Sequence, residues 1–387
     1  MRDAVLVEAV RTPVAKGKPN GALHDDHPVD LLARTLTALV ERAGIDPALV
    51  DDVVGGVVTQ AGDQALNLTR NAVLAAGFPE SVPAMTVDRQ CGSSQQAAHI
   101  AAQGVISGAY DIAIACGVES MSRVPMGAAV LPGSDPFGPA VAARYPGGLV
   151  GQGIGAELIA ARWKISRAEQ DAFATESHRR AAAAWDAGAF DREAAWPGQR
   201  DETIRPGTTP GVLAGLKPAY YDALVEERFP EIGWTVTAGN ASPINDGAAA
   251  LLVMEAATAK RLGLRPRARF HSFAVAGDDP LLMLTAIVPA TRKVLAKANL
   301  TLDDIGLFEV NEAFASVVLA WQRETGVPAD RLNVRGGAIA IGHPLGGSGA
   351  RLMTTLLHAL EDTGARYGLQ TMCEAGGLAN ATIIERL

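Results

Sequence analysis

Cysteine is scarce in this sequence, and the scarcity limits what the chain can be. Only Cys91, Cys116 and Cys373 occur in 387 residues. An odd, sparse set builds no disulfide framework and favours a reducing, cytoplasmic setting. No Cys/His group has zinc-ligand spacing, so no metal site is expected. No run of about 18 apolar residues occurs, so no membrane contact through a spanning helix is expected. Residues 1–10 lack the charged start and long apolar stretch of a secretory signal. Lys and Arg form no cluster and the net charge is −8, which argues against nucleic acid as a partner. Aromatics are only 5% while Gly numbers 41, so few large anchors and many tight turns or close backbone approaches are implied.

What is present reads as an α/β chain of two or more units. Ala4–Val10 and Val53–Val58 read as buried strands. Leu31, Leu32, Leu36 and Leu39 give helical spacing between Pro28 and Gly44, and Ile112–Ala115 reads as another buried strand. From about Ser122 to Thr237 the pattern changes. Gly/Pro-rich stretches (130–151 and 197–211) flank one helical block, Ser166 to Ala187, with Ser166 and Glu169 spaced as a capping box. Strand-like runs resume at Gly247–Met254, Ala268–Val275, Ile305–Val310 and Leu369–Met372. The halves echo each other. Asp51-Asp52 and Asp303-Asp304 are 252 residues apart, as are Cys91 and His343, while Cys116 and Cys373 are 257 apart. Duplication accounts for this, with chance as the alternative; a duplication would face Cys91 and His343 across a pseudo-two-fold axis.

Four segments can carry chemistry. Cys91 follows an extended segment and precedes an Ala-rich helical run, Ser94 to Val105. Partial positive charge at the helix start would lower its pKa, although a lone thiol is more often an inert core residue. His343 sits in a glycine-rich loop before a helix from Ala350 to Leu360. Such a loop also suits a plain surface His or an anion cradle, but a His beside a thiol can take its proton. Cys373 ends a strand at a glycine turn, where a thiol can be exposed and exchange protons; Cys116 reads as core. Asn311, after a strand ending at Val310, either caps the next helix or fixes a water beside an oxyanion.

Several motifs together resemble the thiolase family over nearly the whole chain. They are Glu8-Ala9-Val10-Arg11-Thr12-Pro13, the Cys91 segment, Gly117-Val118-Glu119-Ser120-Met121-Ser122, Thr237-Ala238-Gly239-Asn240-Ala241-Ser242 with Asn245-Asp246-Gly247, Asn311-Glu312-Ala313-Phe314, Gly342-His343-Pro344 and the Cys373 turn. The resemblance implies the thiolase fold: two duplicated βαβαβαββ halves in a five-layer α-β-α-β-α arrangement with an inserted loop domain. The first half would take residues 1–121, completed by about 245–266. The loop domain, holding coenzyme A, would take 122–244, and the second half 267–387.

The resemblance also implies roles. Cys91 is the nucleophile that attacks the keto carbon of a 3-ketoacyl-CoA, His343 activates it, and Cys373 protonates the departing acetyl-CoA enolate and then deprotonates incoming CoA. His343 and a water on Asn311 form one oxyanion hole; the backbone N–H groups of Cys91 and Ala375 form another. Ser242 and Ala238 line the CoA path, Ala313 and Phe314 lie near the acyl end, and Arg205 faces the CoA nucleotide or is a plain surface arginine. CoA is a co-substrate, no cofactor stays bound, and the partners are acyl-CoA, CoA and further copies in a homodimer or homotetramer. Against the commonest family pattern, Gly92-Ser93-Ser94-Gln95-Gln96 follows the nucleophile, Gly151-Gln152-Gly153 replaces His-Met-Gly, Ala375 replaces Gly and Val212 replaces Ser. Loss of the bulky His would open the acyl pocket, which points to degradation of a bulky, branched or steroid-like acyl-CoA. The competing readings are a biosynthetic acetoacetyl-CoA thiolase, a non-catalytic acyl-CoA or lipid carrier, and a ketoacyl synthase, against which the second thiol speaks.

Overall fold

The computed structural model describes residues 2–196 and 198–387; Met1 and Pro197, which begin two of the segments read above, lie outside the described residues. Ten strands are β1 (Ala4–Arg11), β2 (Ala15–Lys16), β3 (Asp52–Gly56), β4 (Ala84–Val87), β5 (Ile112–Ser120), β6 (Asn245–Glu255), β7 (Ala268–Gly277), β8 (Leu307–Val310), β9 (Tyr367–Glu374) and β10 (Leu378–Arg386). They form one sheet in the order β4-β3-β5-β6-β1-β7-β10-β9-β8, with β2 on β6. Strands β2 and β10 went unrecognised in the sequence, and β4 was read only as an extended segment before Cys91. Strand β8 starts two residues later than the apolar run, because Ile305 closes a 3-10 turn, Leu302–Asp304, through its N–H to the carbonyl of Leu302.

Strand order supports duplication independently of the 252-residue echo. In the first half β3 is parallel to β4 and β5, and β5-β6-β1 continue antiparallel. In the second half β8 is parallel to β9, and β9-β10-β7 continue antiparallel. The counterpart of β4 is reduced to a single parallel bridge, Phe308 to Leu332. The half-sheets meet edge to edge where Val5 and Leu6 of β1 pair with Arg269 and Ala268 of β7.

Period-two alternation sorts each strand between two cores. On β5, Ile112, Ile114, Cys116 and Val118 face an outer core, where helices Pro28–Ala43 and Leu68–Ala75 pack. Ala113 and Ala115 face a central core instead. On β1, Val5 and Val7 face out and Ala4 and Leu6 face in; a bulge between Leu6 and Glu8 resets the count so that Ala9 is inward and Val10 outward. The central core holds two helices, Ser93–Ser107 after Cys91 and Leu345–Thr363 after His343. Their starts are again 252 residues apart. Helices Ile287–Ala298 and Ala315–Thr325 cover the outside of the second half, completing five layers. Between β5 and β6 the described residues form five helices and no strand; the longest, Arg167–Asp186, opens on the Ser166/Glu169 capping box. No helix among the described residues is long and apolar enough to cross a membrane.

Glycines set the spacing of the central pair. A Cβ on Gly349 would lie 2.2 Å from the Gln95 nitrogen, and one on Gly56 2.4 Å from the Ser94 nitrogen. One on Gly117 would lie 2.2 Å from the Gly346 carbonyl oxygen. Backbone therefore touches backbone where the two helices begin. Gly117→Ala, in a strand with ordinary φ, should force the Leu345–Thr363 helix outward and cost about 1–3 kcal/mol, read as a lower denaturation midpoint. An unchanged midpoint would show that the seam is slack.

Candidate active site

The chain enters the site from β4 through a tight turn. Gln90 adopts φ of 48°, a conformation that costs a non-glycine residue about 1–3 kcal/mol. Local hydrogen bonds hold it. Asp88 Oδ1 accepts from the Gln90 N–H at 2.6 Å, and Ser93 Oγ donates to the Gln90 carbonyl at 2.5 Å while accepting from the Arg89 N–H at 2.9 Å. The turn delivers Cys91 two residues before its helix, buried among Met121, Leu345, Leu352 and Met372.

His343 enters symmetrically, two residues before its own helix. Its N–H donates to Asn245 Oδ1 at 2.8 Å. Its ring Nδ1 lies 2.6 Å from Ser348 Oγ, and that hydroxyl donates its one proton to the Pro344 carbonyl at 2.9 Å. Ser348 can therefore only accept from the ring, so Nδ1 carries the proton and Nε2 keeps its lone pair. Asn311 Nδ2 approaches Nε2 at 3.4 Å, and Asn311 Oδ1 is buried with no protein partner. Asn311 also lies close enough to the Cys373 thiol to pull its pKa down against the larger effect of burial. The first-named candidates thus gather in one buried cluster: Cys373 and His343 on either side of Asn311, and Cys91 within electrostatic reach of Cys373.

Two expectations are corrected. The helix start does not lower the Cys91 pKa: burial pushes it well above the ordinary value, and Cys373, Glu374 and Glu119 push it further. Nor is Cys373 exposed at its turn; it is fully buried on β9, with its pKa pushed up to about 12 by burial and then by Glu374. Burial, with Arg351 nearby, lowers His343 to about 3. The resting pair is thus a neutral thiol and a neutral imidazole, and the base is available at any pH well above 3.

The candidates for the CoA path lie on adjoining segments. Ser242 N–H donates to the Ala313 carbonyl at 2.9 Å, and Ala241 bridges Phe314, so the 237–242 and 311–314 segments run side by side. A narrow cleft beside them is lined by Thr203, Arg205, Thr208, Ala238, Gly239 and Pro243. Arg205 is exposed at this cleft, apart from the buried cluster, and forms no ion pair among the described residues. Ala375 is half-buried in the turn after Cys373, and its N–H has no backbone acceptor among the described residues. Room for an acyl group is uneven. A Cβ at Gly151 meets nothing within 4 Å, but one at Gly153 would lie 2.4 Å from the Tyr220 ring, which itself packs edge-on to Phe314.

Sequence reading gave no role to three residues that shape this site. Ser348 fixes the His343 tautomer. Asn245 holds the His343 backbone and also donates to the Ala15 carbonyl at 2.8 Å. Glu119, fully buried, accepts from the N–H groups of Val58, Thr59 and Gly346, tying the first half to the start of the His343 helix. Asn245 and Glu119 stand inside family motifs, whereas the only signal for Ser348 is its place five residues beyond His343.

The family model for the thiolase N-terminal domain matches residues 4–257, and that for the C-terminal domain matches residues 264–386. A curated relative from Mycobacterium tuberculosis, steroid 3-ketoacyl-CoA thiolase FadA6, is 47% identical over all of this chain and 95% of its own length. A 3-ketoacyl-CoA thiolase from Pseudoalteromonas translucida is 44% identical over the full length of both. Among solved structures, the Bacillus anthracis acetyl-CoA acetyltransferase superposes with a TM-score of 0.88 at 36% identity, covering 100% of this chain and 99% of that one.

Ser348→Ala would leave the His343 ring N–H buried without an acceptor, a loss of about 1–3 kcal/mol, and release the tautomer that keeps Nε2 basic. Turnover should fall roughly 5- to 150-fold with little change in KM. Turnover within twofold of the unaltered protein would mean that the tautomer is set elsewhere.

Proposed function

This chain belongs to the thiolase family, an acyltransferase family, and we propose that it is a degradative 3-ketoacyl-CoA thiolase acting on a bulky or branched acyl chain. The observation that carries the reading is the closed cluster of two thiols, one imidazole with an unprotonated Nε2, and one amide, all buried within hydrogen-bonding or electrostatic reach of their neighbours.

In this reading the Cys91 proton passes to His343 Nε2 as sulfur bonds to the 3-keto carbon. The protonated ring and a water on Asn311 Oδ1 stabilise the charge on the oxygen, each such donor being worth roughly 3 kcal/mol. The bond between C2 and C3 breaks, and its electron pair leaves as the acetyl-CoA enolate, which takes a proton from Cys373. The acyl group stays on Cys91. Cys373 then removes the thiol proton of a second CoA, whose sulfur attacks the acyl carbon and expels the Cys91 sulfur, which takes its proton back from His343. The N–H groups of Cys91 and Ala375 hold that second tetrahedral oxygen. The raised Cys373 pKa favours recovery of a proton from the CoA thiol and opposes its delivery to carbon, so the strongly basic enolate drives the first transfer.

CoA is a co-substrate here, with no permanently bound cofactor. Its pantetheine runs along Ala238 and Ser242, its nucleotide end lies toward Arg205, and residues 122–244 form the domain that holds it between the halves 1–121 (with 245–266) and 267–387. Ala313, Phe314 and Tyr220 meet the acyl end. The M. tuberculosis relative acts on steroid 3-ketoacyl-CoA by its name, which supports a large acyl group. The reading also takes the protein as a cytoplasmic homodimer or homotetramer. Strand β4 supports the oligomer, being paired on its β3 side alone among the described residues.

A series of 3-ketoacyl-CoA thioesters from acetoacetyl to polycyclic, compared by kcat/KM, tests the substrate. The expected maximum lies at branched or ring-bearing chains. Fastest turnover of acetoacetyl-CoA would indicate the biosynthetic reaction instead.

A further inference from the structure

Glu374 plays no part in the cycle just described, yet it occupies the centre of the site. It follows Cys373 on β9 and is fully buried, and neither carboxyl oxygen has a hydrogen-bond partner. Its location is fixed by contact. A Cβ built on Gly92 would lie 1.9 Å from Glu374 Oε1 and 2.7 Å from Asn380 Nδ2. The carboxyl therefore fills the side-chain position of the residue immediately after Cys91, and Gly92 is required there by the acid rather than by its own φ of −87°. Asn380 Nδ2 donates to the Gly92 carbonyl at 2.9 Å and makes no hydrogen bond to the acid.

The ionisable groups around Glu374 are few. The connection from β4 brings Asp88 and Arg89, the start of the Ser93–Ser107 helix brings Cys91, its own strand brings Cys373, and β10 brings only the uncharged Asn380. Arg89 forms no ion pair, and its Nε is itself buried and unpartnered. A carboxylate in this place would be an anion without a donor, whereas a carboxylic acid costs far less to bury.

We propose that Glu374 is a positioning residue for the two thiols, a carboxyl group seated against the Cys91 turn that stays protonated in the working enzyme and, once ionised, opposes formation of either thiolate. Burial pushes Glu374 up to about 8, with Arg89 pulling down and Asp88 pushing up. It is therefore neutral at pH 7. Above about 8 it becomes an anion beside Cys91 and Cys373, which raises the pKa of both. The sign follows. Thiolate formation is unopposed below the Glu374 pKa and opposed above it, so Glu374 limits the alkaline side of the reaction.

The inference rests on Cys91 as the reactive thiol, and one experiment separates the two. Iodoacetamide modification of Cys91 in the full-length protein, followed by peptide mass spectrometry, reports the thiolate fraction from pH 6.5 to 9.5. Glu374→Gln keeps the shape and removes the charge. The variant should be modified at the unaltered protein's rate near pH 7 and roughly threefold or more faster at pH 9.5, half a pKa step for Cys91 or more. Identical pH dependence in both proteins would overturn the role of Glu374 while leaving Cys91 reactive. Modification of some other residue instead of Cys91 would overturn both readings. Should the variant fail to fold, the unaltered protein decides alone. Its rate should climb about tenfold per pH step to near 8 and less steeply above, and a uniform climb to pH 9.5 would refute the proposal.

Discussion

Backbone contact between two buried helix starts is the constraint on which the rest of the structure depends. The Ser93–Ser107 and Leu345–Thr363 helices share the central layer, and each begins against glycines of the other half. Gly56 and Gly117 of the first half meet the backbone at Ser94 and Gly346; Gly349 of the second meets Gln95. Side chains on these glycines would separate the helices by the thickness of a methyl group, and Cys91 and His343, each two residues before its helix, would separate with them. The abundance of glycine and the small residues Ala97, Ala98, Ala101 and Ala102 on the Cys91 helix serve this one approach. Hydrogen bonds across the seam reinforce it: Ser94 Oγ accepts from the Ala350 N–H at 2.9 Å, and Glu119 accepts from Gly346.

Close packing also sets the electrostatics. A cluster sealed this well cannot hold a resting thiolate-imidazolium pair. Burial raises Cys91 and Cys373, lowers His343 and leaves every member neutral. Charge then develops only during the reaction, where fixed donors meet it without reorganising. Ser348 contributes by consuming the Nδ1 proton and leaving Nε2 basic, and Glu374 by remaining an acid. Neither touches the carbon that reacts.

Much of this was legible in the sequence because it rests on local pattern. Apolar runs gave most strands, Ser166 and Glu169 gave a helix start, and the 252-residue echo between Cys91 and His343 became the shared offset of two helix starts. The two-residue β2 is too short to show a pattern, β10 escaped, and β4 read only as an extended segment. The short β4 is only half-buried and has a weak apolar signature, and β10 follows Gly376-Gly377 in a stretch that reads as turn. The Cys91 pKa was misjudged because the helix-start rule is local, whereas the burial that overrides it comes from Met121, Leu345, Leu352 and Met372, distant in the chain. The Tyr220 ring over Gly153 was invisible for the same reason: the two positions are 67 apart in the chain, and only folding brings them together.

The central claim is that Cys91 carries the acyl group between two half-reactions. Intact-protein mass spectrometry after mixing with a 3-ketoacyl-CoA, in the absence of free CoA, tests it most directly. The account predicts one acyl group per chain, located at Cys91 by peptide mapping and discharged when CoA is added. Release of acetyl-CoA with no covalent adduct, or an adduct on Cys373 instead, would contradict it.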